Sequence, residues 1–112
     1  MSDWPEHLDA VIAAGDHHRI VMENDSVRVL ETRIEAGEIV PLHTHQWPAV
    51  NTLLSWSDFV RRDGDGNVML DSREVGLRLE VGSASWQPAL GPHTLENVGN
   101  QALHVITVEL KR

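Results

Sequence analysis

Apolar and polar residues alternate with period two through most of the chain, in short runs such as 27–35, 39–45, 50–56, 75–81 and 102–110. That is the spacing of half-buried β-strands. Turn residues divide the runs at Glu23-Asn24-Asp25-Ser26, at Ala36-Gly37 and at Asp63-Gly64-Asp65-Gly66-Asn67. The last of these predicts a hairpin tip, because a calcium loop needs a longer ligand set that closes on a bidentate Glu. About nine short strands result. Such a series with little helix predicts an antiparallel sandwich or barrel.

Only one stretch has helical spacing. Asp3 stands where an N-cap belongs, Pro5 in the first turn and Glu6 at the capping-box position. Trp4, Leu8, Val11 and Ile12 then share a stripe, and Gly15 ends it. A short helix with one apolar face must pack on the main body or on a partner subunit.

Length allows one core and too little chain for a second, so one domain over 1–112 is expected, with the helix and an edge strand in 1–22 and the barrel in 26–110. The formal charge of −8 argues against a nucleic-acid groove or an anionic membrane as partner. With no cysteine, thiolate ligands and thiol nucleophiles are excluded; with no tyrosine, so is phenol chemistry. No apolar run approaches the roughly 20 residues that span a bilayer, and the acidic N-terminus lacks a signal-peptide layout. A cytoplasmic location is the expectation.

Against that background the histidines stand out. His43 and His45 lie one residue apart on the predicted strand 39–45, and a period of two sends both imidazoles to one face. This is half of a metal site whose other ligands must come from elsewhere in the chain. His17 and His18 are adjacent and face opposite ways, so at most one of them can reach an interior site, and the preferred reading is surface or edge residues.

The stretch from Gly37 to His45 reads G-x5-H-x-H, and the later stretch reads Gly82-x5-Pro88-x4-His93-x3-Asn97. In order and spacing these resemble the two motifs of the cupin superfamily, and with the segment between them they cover just over half of the chain. The resemblance implies a cupin-type jelly roll, or double-stranded β-helix barrel, with a divalent metal inside. It makes His43, His45 and His93 the metal ligands and gives Asn97 the turn beyond the last. The family's ligand Glu should fall at position 49 or 50, where this chain has Ala49 and Val50. The remaining shell is therefore neutral and all nitrogen, which favours Fe, Ni, Zn or Cu over Mn.

Around the ligands, Gln46, Trp47 and His104 are the pocket candidates. Trp47 either floors the pocket or plugs the core. His104, on the strand face shared with Ile106, Val108 and Leu110, is expected to point inward, as a hydrogen-bonded interior histidine or as a further ligand. The functions implied are a metalloenzyme, dioxygenase-like, acting on a small organic molecule that is best a chelating anion, or a non-catalytic small-molecule or metal-binding module. A homodimer that covers edge strands is expected.

Overall fold

The computed structural model describes residues 4–111. Two antiparallel sheets face each other in a jelly roll. The first orders β1 (His18–Glu23), β2 (Val27–Ile34), β9 (Leu103–Leu110), β4 (Ala49–Ser55) and β7 (Ala84–Gln87) side by side. The second orders β3 (Ile39–His45), β8 (Leu90–Asn97), β5 (Phe59–Asp63) and β6 (Val68–Asp71). Alternation sets the inner faces: Leu30 and Ile34 on β2, Ala49 and Leu53 on β4, and Leu103 on β9 are buried. Ile34, Val40, Leu53, Phe59 and Leu103 join across the sheets into one apolar cluster with Ala14.

Three predicted elements turn out differently. The single N-terminal helix is broken into a 3-10 turn, Glu6–Leu8, and one α turn, α1 (Ala10–Ala13). Asp9 between them has extended ψ, caps Val11 N–H and bridges to Thr44 of β3, so helical hydrogen bonding cannot pass through it. Ile12, expected on the apolar stripe, is exposed. The proposed N-cap, Asp3, lies outside the described residues.

Residues 75–81 are not a strand. Leu77 and Leu79 do turn inward while Arg78 and Glu80 turn out, but the segment has no ladder partner. The third difference is at the end of the chain. A two-residue hairpin at Gly99-Asn100 would place His104 on the face of His93 and a three-residue turn on the other; neither forms, since β8 and β9 belong to opposite sheets and the chain crosses between them. Asn97 holds that crossing, its amide donating to the carbonyls of Ile34 and Gln101 while its carbonyl accepts from Ser57 and Gly99. The turns fall as read: Gly37 takes φ +84 before β3, a conformation that favours glycine, and Asp63 to Asn67 is the β5–β6 tip.

Candidate metal centre

The β3–β8 ladder pairs Val40 with Leu95, His43 with His93 and His45 with Leu90. One extra residue therefore bulges from β3 after Pro41, and one from β8 around Gly91 and Pro92. Proline cannot donate to a ladder, so a bulge is where it is tolerated. The first bulge lets Val40 and His43 both face inward, which strict alternation forbids. The second does the same for Leu90 and His93.

The bulged backbones also aim the rings. Nδ1 of His43 donates to the Pro41 carbonyl and Nδ1 of His93 to the Gly91 carbonyl, each at 2.7 Å. Because a carbonyl only accepts, these bonds fix the proton on Nδ1 and leave Nε2 with a free lone pair. Gly91 has a second reason to be glycine, since a Cβ there would meet the Trp4 indole at 3.2 Å.

A fourth ring comes from a residue read as peripheral. His18, at the start of β1, is 5 % exposed and donates Nδ1 to the Ala14 carbonyl at 3.0 Å. Its ring centroid lies 4.9 Å from His43 and 5.4 Å from His45. Ligand atoms of His18, His43 and His45 all lie within 4.8 Å of one another, a cluster that could hold a metal ion. His93 is 4.3 Å, ring to ring, from His43 and 5.5 Å from His45. The opposed directions of His17 and His18 are as expected, but the edge placement of His18 is not. The signal available was the Ala14-Gly15 turn just before it, where His18 is tied back to the Ala14 carbonyl by both its backbone N–H and its ring.

Behind His45 lies a buried ionic chain. Its Nδ1 faces Glu109 Oε2 at 3.5 Å, and neither atom has a hydrogen-bond partner. Glu109 Oε1 accepts from Arg28 Nε at 2.5 Å, and Arg28 forks both terminal nitrogens onto Asp9 at 3.0 Å. Burial by itself would lower the Arg28 pKa, but the bonds from Asp9 and Glu109 outweigh it and raise it; burial pushes the Glu109 carboxyl up against the pull of Arg28. Ala49, where the resemblance expects a ligand Glu, is directly opposite Glu109 on the β4–β9 ladder. The carboxylate thus stands one strand away from the position the resemblance gives it and lies behind His45.

Burial, then mutual repulsion, keeps the rings neutral. His18 and His45 are pushed down to about 3 and His93 to about 2, while His43 is lowered, chiefly by burial. Neutral imidazoles with Nε2 free are the donor set a borderline divalent ion takes.

The histidines open into a cavity of about 410 Å³ between the sheets, walled by Leu53, Phe59, Leu77, Leu79 and Leu95 among others. On one wall Thr107 Oγ donates to Asn51, and Asn51 Nδ2 to Gln87. None of the three pocket candidates lines this cavity. His104 points away from it and bonds Glu31 at 2.8 Å. The inner face of β9 is the more polar set of Leu103, Val105, Thr107 and Glu109, because that face builds the site. Trp47 lies under Arg28 and Lys111, 5.0 and 5.5 Å from its ring, rather than at the cavity. Pro48 breaks the alternation there, and Gln46 is likewise outside the lining.

No protein-family model matches the sequence, and no curated protein does. Solved structures do. The chain is similar to a cupin domain from Bordetella pertussis Tohama I, with TM-score 0.67 and 19% identity over 85% of this chain and 92% of that one. It is similar to an RmlC-like cupin family protein with a double-stranded β-helix fold from Methanocaldococcus jannaschii, TM-score 0.58, 12% identical, covering 83% and 77%. A DMSP lyase from Ruegeria pomeroyi DSS-3 matches at TM-score 0.55 and 15% identity, over 86% of this chain and 48% of that protein. The likeness shows the fold, which is the cupin double-stranded β-helix.

Proposed function

We propose that this cupin-fold chain is a small metal-dependent enzyme, dioxygenase-like, that holds one divalent ion on His43, His45 and His93 together with His18 and acts on a small organic molecule in the apolar cavity. The observation that carries this reading is the tethering of Nδ1 in three of the rings to backbone carbonyls, which leaves their Nε2 lone pairs free for a metal. A bound ion would supply Lewis acidity and, if it is iron, oxygen chemistry. The protein's own part is to hold the imidazoles neutral, to steady His45 through Glu109 and to exclude water with leucine and aromatic walls.

The test is metal content after loading with Fe(II), Ni(II), Cu(II) or Zn(II). Single His→Ala variants at 18, 43, 45 and 93 should each fall well below one equivalent per chain with an unchanged β-type far-ultraviolet spectrum. Four variants that keep a full equivalent would refute the site. Oxygen uptake by the iron-loaded protein, offered keto acids, diketones, phenols and thiol acids, tests catalysis. One observation favours the non-catalytic reading: four nitrogens would close a tetrahedral shell, as in structural zinc sites. Tight zinc binding with no oxygen uptake under iron would select it.

A homodimer is part of the proposal. The edge strand β1 exposes Ile20, Val21 and Met22 by 39%, 48% and 44%, an apolar edge of the kind native proteins cover. Light scattering should give twice the chain mass, and Val21→Lys should halve it.

A further inference from the structure

Among the described residues, Arg61 is the one arginine or lysine in the wall of the cavity. It projects from β5 beside Phe59, its guanidinium 5.7 Å from that ring, and sits opposite Leu95 on β8 while Asp63 sits opposite His93. Leu95 and His93 are alternate residues on one strand face, so Arg61 is the diagonal neighbour of a histidine of the cluster. It is half-buried, its Nε is shielded from solvent, and it makes no hydrogen bond or ion pair among the described residues. Arg28 and Arg62, the other arginines that are not exposed, are both paired with carboxylates.

The cavity gives Arg61 nothing to pair with. Among the described residues no acidic side chain lines it, and Arg61 brings the one side chain there that is charged whatever the histidines do. A divalent ion on the histidines would add two more positive charges. A desolvated guanidinium in such surroundings is satisfied only by an anion from solution, and its fork geometry matches a carboxylate. Leucine, phenylalanine and tryptophan walls suit an apolar body behind the charged group.

We propose that Arg61 is a substrate-binding residue that grips the carboxylate of a small organic monoanion whose apolar body fills the cavity beside the histidines. This rests on the metal-centre reading only for what happens at the other end of the substrate; the anion site stands on Arg61 and the cavity alone.

Calorimetric titration with hexanoate and with hexan-1-ol, on zinc-loaded and metal-free protein, separates the two readings. Hexanoate should bind at least tenfold more tightly than the alcohol in both forms. Arg61→Met should remove that preference while metal content stays unchanged, and Arg61→Lys should keep part of it. Loss of zinc binding with an Arg61-dependent preference intact would refute the metal centre and uphold the anion site. A preference that survives Arg61→Met, or appears only with zinc and ignores Arg61, overturns the proposal, as does the absence of any preference in the unaltered protein. Should Arg61→Met fail to fold, a preference undiminished in Arg61→Lys overturns it equally.

Discussion

Arg28 and Arg61 both turn inward from neighbouring layers of one barrel, and their surroundings differ completely. Arg28 meets two carboxylates, donates from all three of its nitrogens to Asp9 and Glu109, and through Glu109 stands behind His45. Arg61 lies over the Phe59 ring and faces the cavity. The first is a closed network whose members depend on one another; the second is a charge kept incomplete. A saturated buried cation belongs to the architecture, whereas an unsaturated one at a cavity wall belongs to whatever enters.

The largest expected effect comes from opening the closed network. Arg28→Met strands Glu109 and Asp9 without their counter-charge and should lower the unfolding free energy by about 3–5 kcal/mol. It should also weaken metal binding by roughly 10–100-fold through the loss of support behind His45. A denaturation midpoint that does not move would erase the distinction between the two arginines.

Acid should act on the same side of the molecule. His18 and His45 titrate near 3 and His93 near 2 in the folded metal-free chain, against an ordinary value of 6.5. Below pH 6.5 the unfolded chain takes up protons that the folded chain refuses, so stability falls as the pH drops toward 3. Each such histidine contributes a slope of up to about 1.4 kcal/mol per pH unit. Denaturant midpoints of metal-free protein at pH 7 and pH 5 check the sign; a higher midpoint at pH 5 contradicts it.

Arg61→Met, by contrast, should leave the fold intact and raise its stability by about 1 kcal/mol, because it removes a desolvated charge that nothing in the chain balances. A marked loss of stability would mean that Arg61 is structural after all. The smallest effect concerns metal choice. Manganese should bind more weakly than Fe(II), Ni(II) or Zn(II), and Ala49→Glu combined with Glu109→Ala should narrow the gap by moving the carboxylate across the ladder. Val50→Glu should not, since Val50 turns to the opposite face from Ala49. Competition titrations read both.

Much of this was legible in the chain. Strand 39–45 falls where alternation put it and 27–35 within one residue of it, and the two Gly/Pro-framed motifs bring His43, His45 and His93 together. What could not be read is instructive. Alternation tells that a residue faces in or out, but not which sheet a strand joins, so His104 was assigned to the interior by its apolar strand-mates. The inner face of β9 is polar because it carries Thr107 and Glu109 into the site. His18 was missed for the same reason: its value depends on a fold-back at Ala14 that no local periodicity encodes. Arg28 and Arg61 look alike in sequence, each one residue within a β-run, and only the sheets' meeting gives one a partner.

The two proline bulges on β3 and β8 deserve to be seen together as a defect and its opposite. Pairing before the site joins Val40 to Leu95, pairing beyond it joins His45 to Leu90, and the numbering offset is the same on both sides; only around His43 and His93 does it slip by one. As with a dislocation pair in a crystal, the distortion opens at one proline and closes at the other, leaving the lattice beyond it undisturbed. The histidine cradle is therefore a bounded insert in an otherwise regular β3–β8 ladder. Removing one residue from a single bulge would let the slip run to the strand end and turn every side chain past it to the wrong face, whereas removing one from each would leave the barrel in register and re-aim only the histidines.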